Sequence, residues 1–433
     1  MEPLQVEDGT KGSKPLKSSG TMVNDTKRAM LMDRVFDKPL PCWRVPNEKL
    51  HRMPNVEDII PVLNGLLHVP TGKLLRPTPL FVNSTSLQVA YDANAQCPVW
   101  DATVVQWFTP EQADGKGQTD WEAIEQLQLF MGYCLTTDIS HQKFLYLLGE
   151  TRSGKSTIQK VVELMFGASY KAGDEKLVTT DHGLAGLLGA AIVAFGDYRN
   201  TTSTTAAAFE SFILKSAGGD TQTVNPKGVD QFSHKFGFKI MINSNIFPNF
   251  KNEGGSMEAR MLLIEMPNSY LGREDHQLLK KLTGELSGIL NFALEGLKKL
   301  RAGAAMCSPT SSHQLLEGMR RRSDPVRKFL AECTVTEAAE SVRKEDLTTV
   351  LDYWLAENEL HNHISPTAFY RTLAKLAPSL GIVTGANVRE RTPDGSQVRV
   401  VKGLAFNAKG ERLLKHGPRS EEEDAFDIDP ELD

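Results

Sequence analysis

The chain is predicted to be an α/β protein built on a parallel sheet, and three observations predict it. Gly149-Glu150-Thr151-Arg152-Ser153-Gly154-Lys155-Ser156 has the G-x-x-x-x-G-K-S pattern of a phosphate-binding loop. An apolar run, Phe144–Leu148, precedes it, and Thr157–Phe166 follows with apolar residues at helical spacing. From about residue 142 to residue 300, strand-like apolar runs alternate with helical ones, the pattern of βα units on a parallel sheet. With 433 residues, 40% hydrophobic and 24% charged, the composition is that of a globular chain long enough for two or three domains.

Taken in order, residues 1–33 are polar and read as a disordered tail. Residues 34–135 are read as a mainly helical domain ahead of the core. In it, short apolar runs are punctuated by the turn dipeptides Asn64-Gly65 and Thr71-Gly72, and Asp120–Leu135 forms an amphipathic helix with Asp120 at its N-cap. Residues 136–300 are read as the α/β core that carries the loop. Its strands are Phe144–Leu148, Ala191–Phe195, Phe236–Ile242 and Met261–Glu265, and Gly288–Leu300 closes it as a helix with a cationic end. A linker, 301–322, precedes 323–415, where helices over Asp324–Glu332, Lys344–Leu360 and Pro366–Leu376 and two strand-like runs about Pro393-Asp394-Gly395 suggest a winged-helix-like domain. Residues 416–433 form an acidic tail, and no internal repeat is visible.

The formal net charge of −5 means that a nucleic-acid surface, if there is one, is local. The five cysteines are scattered with no C-x-x-C pair, which argues against a zinc ribbon and for reduced thiols. No stretch approaches the ~20 apolar residues of a membrane span, and the N-terminus has no apolar signal core. No membrane association and a cytoplasmic location, in whatever cell makes the protein, are expected.

The loop's chemistry is specific. Backbone N–H groups of Gly149 to Thr157 can surround phosphate oxygens at a helix N-terminus, Lys155 would sit on the β- and γ-phosphates, and Ser156 on Mg²⁺. An NTPase also needs an acid at the metal, and Asp197, just past the strand Ala191–Phe195, is the candidate; a simple turn aspartate is the alternative. Glu210 is a distant possibility for the water-activating base. Asn243-Ser244-Asn245 ends the next core strand, where an amide can hold the attacking water, and Asn245 is favoured over Asn243. Arg260, before the strand Met261–Glu265, could stabilise transition-state charge on a neighbouring subunit or form a surface ion pair. Asn225-Pro226-Lys227-Gly228, between two strand-like runs, reads as a protruding hairpin. Lys227 at its tip could grip a phosphate backbone, with His234 and Lys235 nearby, or simply be solvated.

As an ordered set, the loop, Asp197, Lys215 with Gly218-Gly219-Asp220, Asn243-Ser244-Asn245 with Pro248, and Glu258-Ala259-Arg260 resemble the superfamily 3 helicases, the hexameric AAA+ motors of viruses and mobile elements. The closer likeness is to phage and plasmid primase-helicases related to the poxvirus replication NTPase, and covers roughly residues 54 to 335. Tyr91-Asp92 with Cys97-Pro98-Val99-Trp100, Gly132–Leu135, Gly272–Asp275 and Ser323–Val326 add to it. The resemblance implies an AAA+ core, ATP and Mg²⁺ as cofactors, a homo-hexameric ring, and 3′ to 5′ translocation on single-stranded or forked DNA. It makes Asp197 the Walker B acid, Asn245 the sensor, Arg260 a finger acting in trans and Lys227 a DNA contact. Two departures stand out: a single acid at Asp197, and no sign of a primase domain before Pro54, so primer synthesis is expected from a separate primase or host replication protein. Two other readings stay open, an origin-binding initiator ATPase and a P-loop small-molecule phosphotransferase.

Overall fold

The computed structural model describes residues 5–6, 14–15, 40–111, 117–196, 203–228, 230–246, 256–317, 325–358, 364–392 and 395–418. Its contacts divide the chain into two units, residues 1–247 with 257–313, and residues 248–256 with 314–433.

The first unit is mixed α/β around a five-stranded sheet. Its strands are β1 (Phe144–Gly149), β2 (Tyr170–Gly173), β3 (Ile192–Phe195), then β4 (Thr221–Val224) and β5 (Phe232–Lys235), which form a separate hairpin, and β6 (Lys239–Ser244) and β7 (Met261–Met266). The sheet order is β7-β1-β6-β3-β2, and every pairing in it is parallel. Five consecutive residues of β1 and all six of β6 are buried, as expected of strands covered on both faces. The helices are α1 (Pro98–Trp107), α2 (Trp121–Cys134), α3 (Lys155–Phe166), α4 (Ser203–Gly218), α5 (Ser256–Arg260), α6 (Leu278–Gly284) and α7 (Leu286–Arg301).

Local signals set several of these ends. Asp120 caps α2 by accepting from Ala123 N at 2.9 Å. Lys298, Lys299 and Arg301 stand in the last turn of α7, where they complement the helix dipole. The start of α1 is capped from far along the chain: Val99 N and Trp100 N donate to the Glu285 carboxylate at 3.0 and 2.9 Å. Ahead of α1 the described chain is mostly extended, with only short helical turns at Asn47–Leu50, Val56–Asp58 and Val69–Thr71. Ile59–Val62, Gly65–His68 and Lys73–Leu75 form an antiparallel meander turned at the two glycine-containing dipeptides, so the expectation of a mainly helical segment fits only 98–134. One apolar core joins Trp100, Phe108 and Phe130 to Leu145, Ile158 and Met241, so the sequence boundary at 135/136 falls inside continuous packing.

A lysine sits in this interior. Lys239, only 2% exposed, opens β6; its Nζ donates to Thr136 O and Gly237 O at 2.9 Å each and lies 4.4 Å from the Tyr133 ring centroid. Burial lowers its pKa to about 8. Between that value and the ordinary lysine value the unfolded chain holds more protons than the folded one, so this residue makes stability rise with pH from about 8 to 10. The buried thiols Cys97, Cys134 and Cys333, each pushed up to about 12 chiefly by burial, act oppositely above about 8.5. The wild type is therefore expected to gain stability over Lys239→Met from pH 7.5 to 9.5, as read from urea midpoints. A difference that stays constant with pH would show that Lys239 does not titrate in that window.

The second unit contains α8 (Pro325–Cys333), β8 (Thr334–Arg343), α9 (Lys344–Glu357), α10 (Pro366–Leu380), β9 (Arg389–Arg391), β10 (Gln397–Phe406) and α11 (Ala408–His416). Its antiparallel sheet has the order β8-β10-β9. Phe329 packs edge-on to Trp354 and Phe369 at centroid distances of 5.8 and 5.6 Å. Glu332 accepts from Trp354 Nε1 and Lys409 Nζ, tying α8 to α9 and α11. The sequence reading omitted β8 and α11.

Candidate functional site

The phosphate loop occupies the turn from β1 into α3. It lies where the chain order reverses: from β1 the chain crosses to β2 at the far edge, and from β6 it passes to β7 on the other side of β1. Loops diverging at such a point leave a crevice at the carboxyl ends of the strands, where α/β sheets bind ligands.

Two residues in the loop take left-handed backbone, Arg152 (φ 64°) and Gly154 (φ 107°). Gly154 also has no room for a side chain, since a Cβ there would lie 2.6 Å from the Trp107 indole of α1. Ser153 and Lys155 are buried. Lys155 Nζ donates to Gly149 O and Glu150 O at 2.7 Å each and to Ser153 Oγ at 3.0 Å. Ser156 and Thr151 are exposed.

The neighbouring strand brings its amides to this loop. Asn243 is buried; its Nδ2 donates to Gln159 Oε1 at 2.5 Å and to Lys155 O at 3.4 Å, while its Oδ1 has no hydrogen-bond partner. Asn245 is exposed and donates to Thr151 Oγ1 at 3.3 Å. Thus both asparagines reach the loop, the disfavoured one from the buried side. Asp197 lies outside the described residues. Glu210, on α4, is buried.

Sequence reading missed a strap after β7. Asn268, 5% exposed, donates through Nδ2 to Gln106 O at 3.1 Å and Thr109 O at 2.7 Å, and its Oδ1 accepts from Glu111 N at 2.9 Å. Immediately after it, Ser269 Oγ donates to Thr151 O at 2.8 Å and Tyr270 N to Arg152 O at 3.0 Å. The strap thereby fastens the phosphate loop to the end of α1. Arg152 is further paired with Glu274 at 3.3 Å, and Arg273 with Glu111 at 2.8 Å. Asn268 stands alone in the sequence with no motif around it, so no local signal marked it.

The remaining candidates gather elsewhere. Arg260 precedes β7, which pairs with β1 from Met261↔Phe144 to Met266↔Gly149. It therefore stands at the amino end of the sheet, about six residue steps of about 3.3 Å, or roughly 20 Å along the strand, from the level of its own loop. There its guanidinium lies at the end of α4, where a Cβ on Gly218 would be 3.5 Å from Nη2; its Nε is buried without a hydrogen bond. The β4–β5 hairpin pairs Thr221↔Lys235 through Val224↔Phe232. Lys227 is exposed at its tip, Lys235 is exposed at its base, and the half-buried His234 packs edge-on to Phe232 and Phe236. The structure thus brings together the loop, Asn243 and Asn245, and places Arg260 toward the other end of the sheet, with Lys227, His234 and Lys235 on a separate hairpin.

The residues present fit a nucleoside triphosphate. A helix N-terminus and a buried ammonium ringed by oxygens meet at one loop. For Mg²⁺ the described part of the site offers the Ser156 hydroxyl; no group of three or more His, Cys, Asp or Glu side chains able to hold a metal occurs among the described residues. Nor, among them, is any helix long and apolar enough to cross a membrane.

A family model described as a family of unknown function, DUF5906, matches residues 147–260, the stretch from the end of β1 through Arg260. Among solved structures, the chain is similar to the A form apo structure of the NrS-1 C-terminal region, at 12% identity over 87% of this chain and 90% of that one, with a TM-score of 0.48. For the apo structure of NrS-1 residues 305–718 the values are 11% identity, 92% and 93% coverage and a TM-score of 0.49.

Proposed function

We propose that the chain is an ATP-driven DNA motor of the superfamily 3, AAA+ type, acting in replication of a phage or mobile element as a homo-hexameric ring on single-stranded or forked DNA. The observation that carries the reading is the meeting of the phosphate loop with Asn243 and Asn245 at the reversal point of the sheet. Gly149 to Thr157 would hold the nucleotide phosphates, and Ser156 with Asp197 would hold Mg²⁺, which neutralises charge on the β- and γ-oxygens when bound.

The other assignments follow the same logic. Lys155 positions the phosphates, Asn245 or the more buried Asn243 orients the attacking water, and the strap holds the loop in register with α1. Arg260, remote from its own loop, suits a finger that serves a neighbouring subunit. That remoteness also disfavours a monomeric phosphotransferase, in which Arg260 would have to act in cis. Lys227, His234 and Lys235 form the proposed single-strand contact, and the second unit is read as winged-helix-like.

The test is steady-state ATP hydrolysis with and without single-stranded DNA. Stimulation of several-fold or more is expected. Hydrolysis indifferent to DNA would remove the motor reading and favour a phosphotransferase or an initiator whose ATPase drives assembly.

A further inference from the structure

The two strap bonds to the phosphate loop fall on either side of one residue. Ser269 Oγ donates to Thr151 O at 2.8 Å, and Tyr270 N to Arg152 O at 3.0 Å. A peptide unit is planar, so holding its oxygen holds the plane. The first bond sets the plane before the Arg152 Cα and the second the plane after it, and together they determine φ and ψ of Arg152. That residue is left-handed at φ 64°, a conformation that glycine takes freely and a side chain opposes. The strap therefore supplies from outside what the residue at 152 does not supply itself.

The same two bonds aim two N–H groups. Both peptide bonds are trans, so each N–H points opposite to its C=O, and those of Arg152 and Ser153 are turned away from the strap. Neither finds an acceptor among the described residues. Ser153 is only 1% exposed, and an unpartnered N–H in a buried residue is rare. With Gly154 left-handed at φ 107° and Ser153 not left-handed, handedness alternates through 152–154, and N–H groups of such backbone form a concavity that binds anions. The strap is itself anchored: the buried Asn268 donates to Gln106 O and Thr109 O, on either side of Trp107, whose indole backs Gly154. Glu274, further along, pairs with the Arg152 side chain.

We infer that Ser269 and the backbone of Tyr270 are positioning residues for a polyphosphate chain: they hold Arg152 left-handed and so keep the N–H groups of Arg152 and Ser153 directed at phosphate before the ligand arrives. A site ordered in advance binds more tightly, because less freedom is lost on binding. The part of the ligand that is served is the phosphate chain and not the nucleoside, so inorganic tripolyphosphate is a sufficient probe. The inference rests on the reading of the loop as a phosphate site and on no part of the motor reading.

The test is calorimetric titration of inorganic tripolyphosphate, without metal, into the full chain as wild type, Ser269→Ala, Ser269→Thr, Arg152→Gly, the double variant S269A/R152G and Lys155→Ala. Ser269→Ala is expected to raise Kd about 3- to 10-fold, the worth of one hydrogen bond, at an unchanged urea midpoint. Ser269→Thr keeps the hydroxyl and should restore binding. Glycine at 152 reaches the left-handed region without help, so in the Arg152→Gly background the same Ser269→Ala change should raise Kd less than about twofold. An unchanged Kd in Ser269→Ala, with wild type binding, overturns the proposal alone. So does a rise as large with glycine at 152 as with arginine, which would make Ser269 a general support of the loop. Wild-type protein that binds tripolyphosphate no better than Lys155→Ala defeats the phosphate-site reading, and the proposal falls with it.

Discussion

Protein carrying Lys155→Ala and protein carrying Arg260→Ala are each expected to hydrolyse ATP at background rate, and a mixture of the two is expected to recover part of the wild-type rate. Lys155 is the buried ammonium of the loop. A finger arginine contributes about 10³-fold or more, so either loss alone is nearly complete. Arg260 stands at the amino end of β7 and the loop at the carboxyl end of β1, so in the proposed ring a finished site would take Lys155 from one subunit and Arg260 from the next. Random mixing at equal amounts leaves about a quarter of the contacts with both residues intact. Arg260→Ala should still bind nucleotide, while Lys155→Ala should not. Rates that stay at background at every mixing ratio, with both proteins folded, would assign Arg260 to supporting the end of α4 instead.

Gly296→Ala is expected to be among the most destabilising single-methyl additions in the first unit. Helices α2 and α7 touch backbone to backbone: a Cβ on Gly296 would lie 2.0 Å from Gln128 O, and one on Gly132 2.2 Å from Leu297 N. Both obstacles are main-chain atoms in helices packed into the core, so relief requires the helices to separate. Overpacking of this kind costs about 1–3 kcal/mol, readable as a lower urea midpoint at unchanged slope. Gly284→Ala, with nothing within 4 Å of its added methyl, is the control and should be neutral or slightly stabilising. A Gly296→Ala midpoint equal to that of the control would mean that the crossing is looser than its geometry implies.

What could be read from the sequence was what is contiguous in it. The phosphate loop carries its strand, its glycines and its helix in one run, and the parallel sheet behind it follows from alternating apolar segments. The β4–β5 hairpin was marked by its Asn-Pro-Lys-Gly tip, and the start of α2 by Asp120. Features that depend on distant partners gave no such signal. Glu285 caps α1 across 186 residues, and Asn268 meets Gln106 across 162. Strand β8 has Glu337-Ala338-Ala339-Glu340 at its centre, residues that favour helix and that fall in a break of its register with β10; only its flanks, Thr334–Thr336 and Ser341–Arg343, pair with that strand. Helix α11 is short and mostly polar, and buries little beyond Gly410 and Leu413. The choice between Asn243 and Asn245 could not be made from chain position, because it turns on which amide is enclosed by Gln159 and Lys155.

The separation of Arg260 from the phosphate loop along the sheet bears on the symmetry of the proposed ring. In such a ring each subunit lends its arginine to one neighbour and borrows from another, whereas a dyad would make two subunits exchange arginines with each other. The head-to-tail arrangement ends only by closing on itself. An open arc always has one orphan site at its terminus. Specific activity should therefore climb with protein concentration and level off at closure, and duplex or single-stranded DNA that favours the closed form should shift that curve to lower concentration.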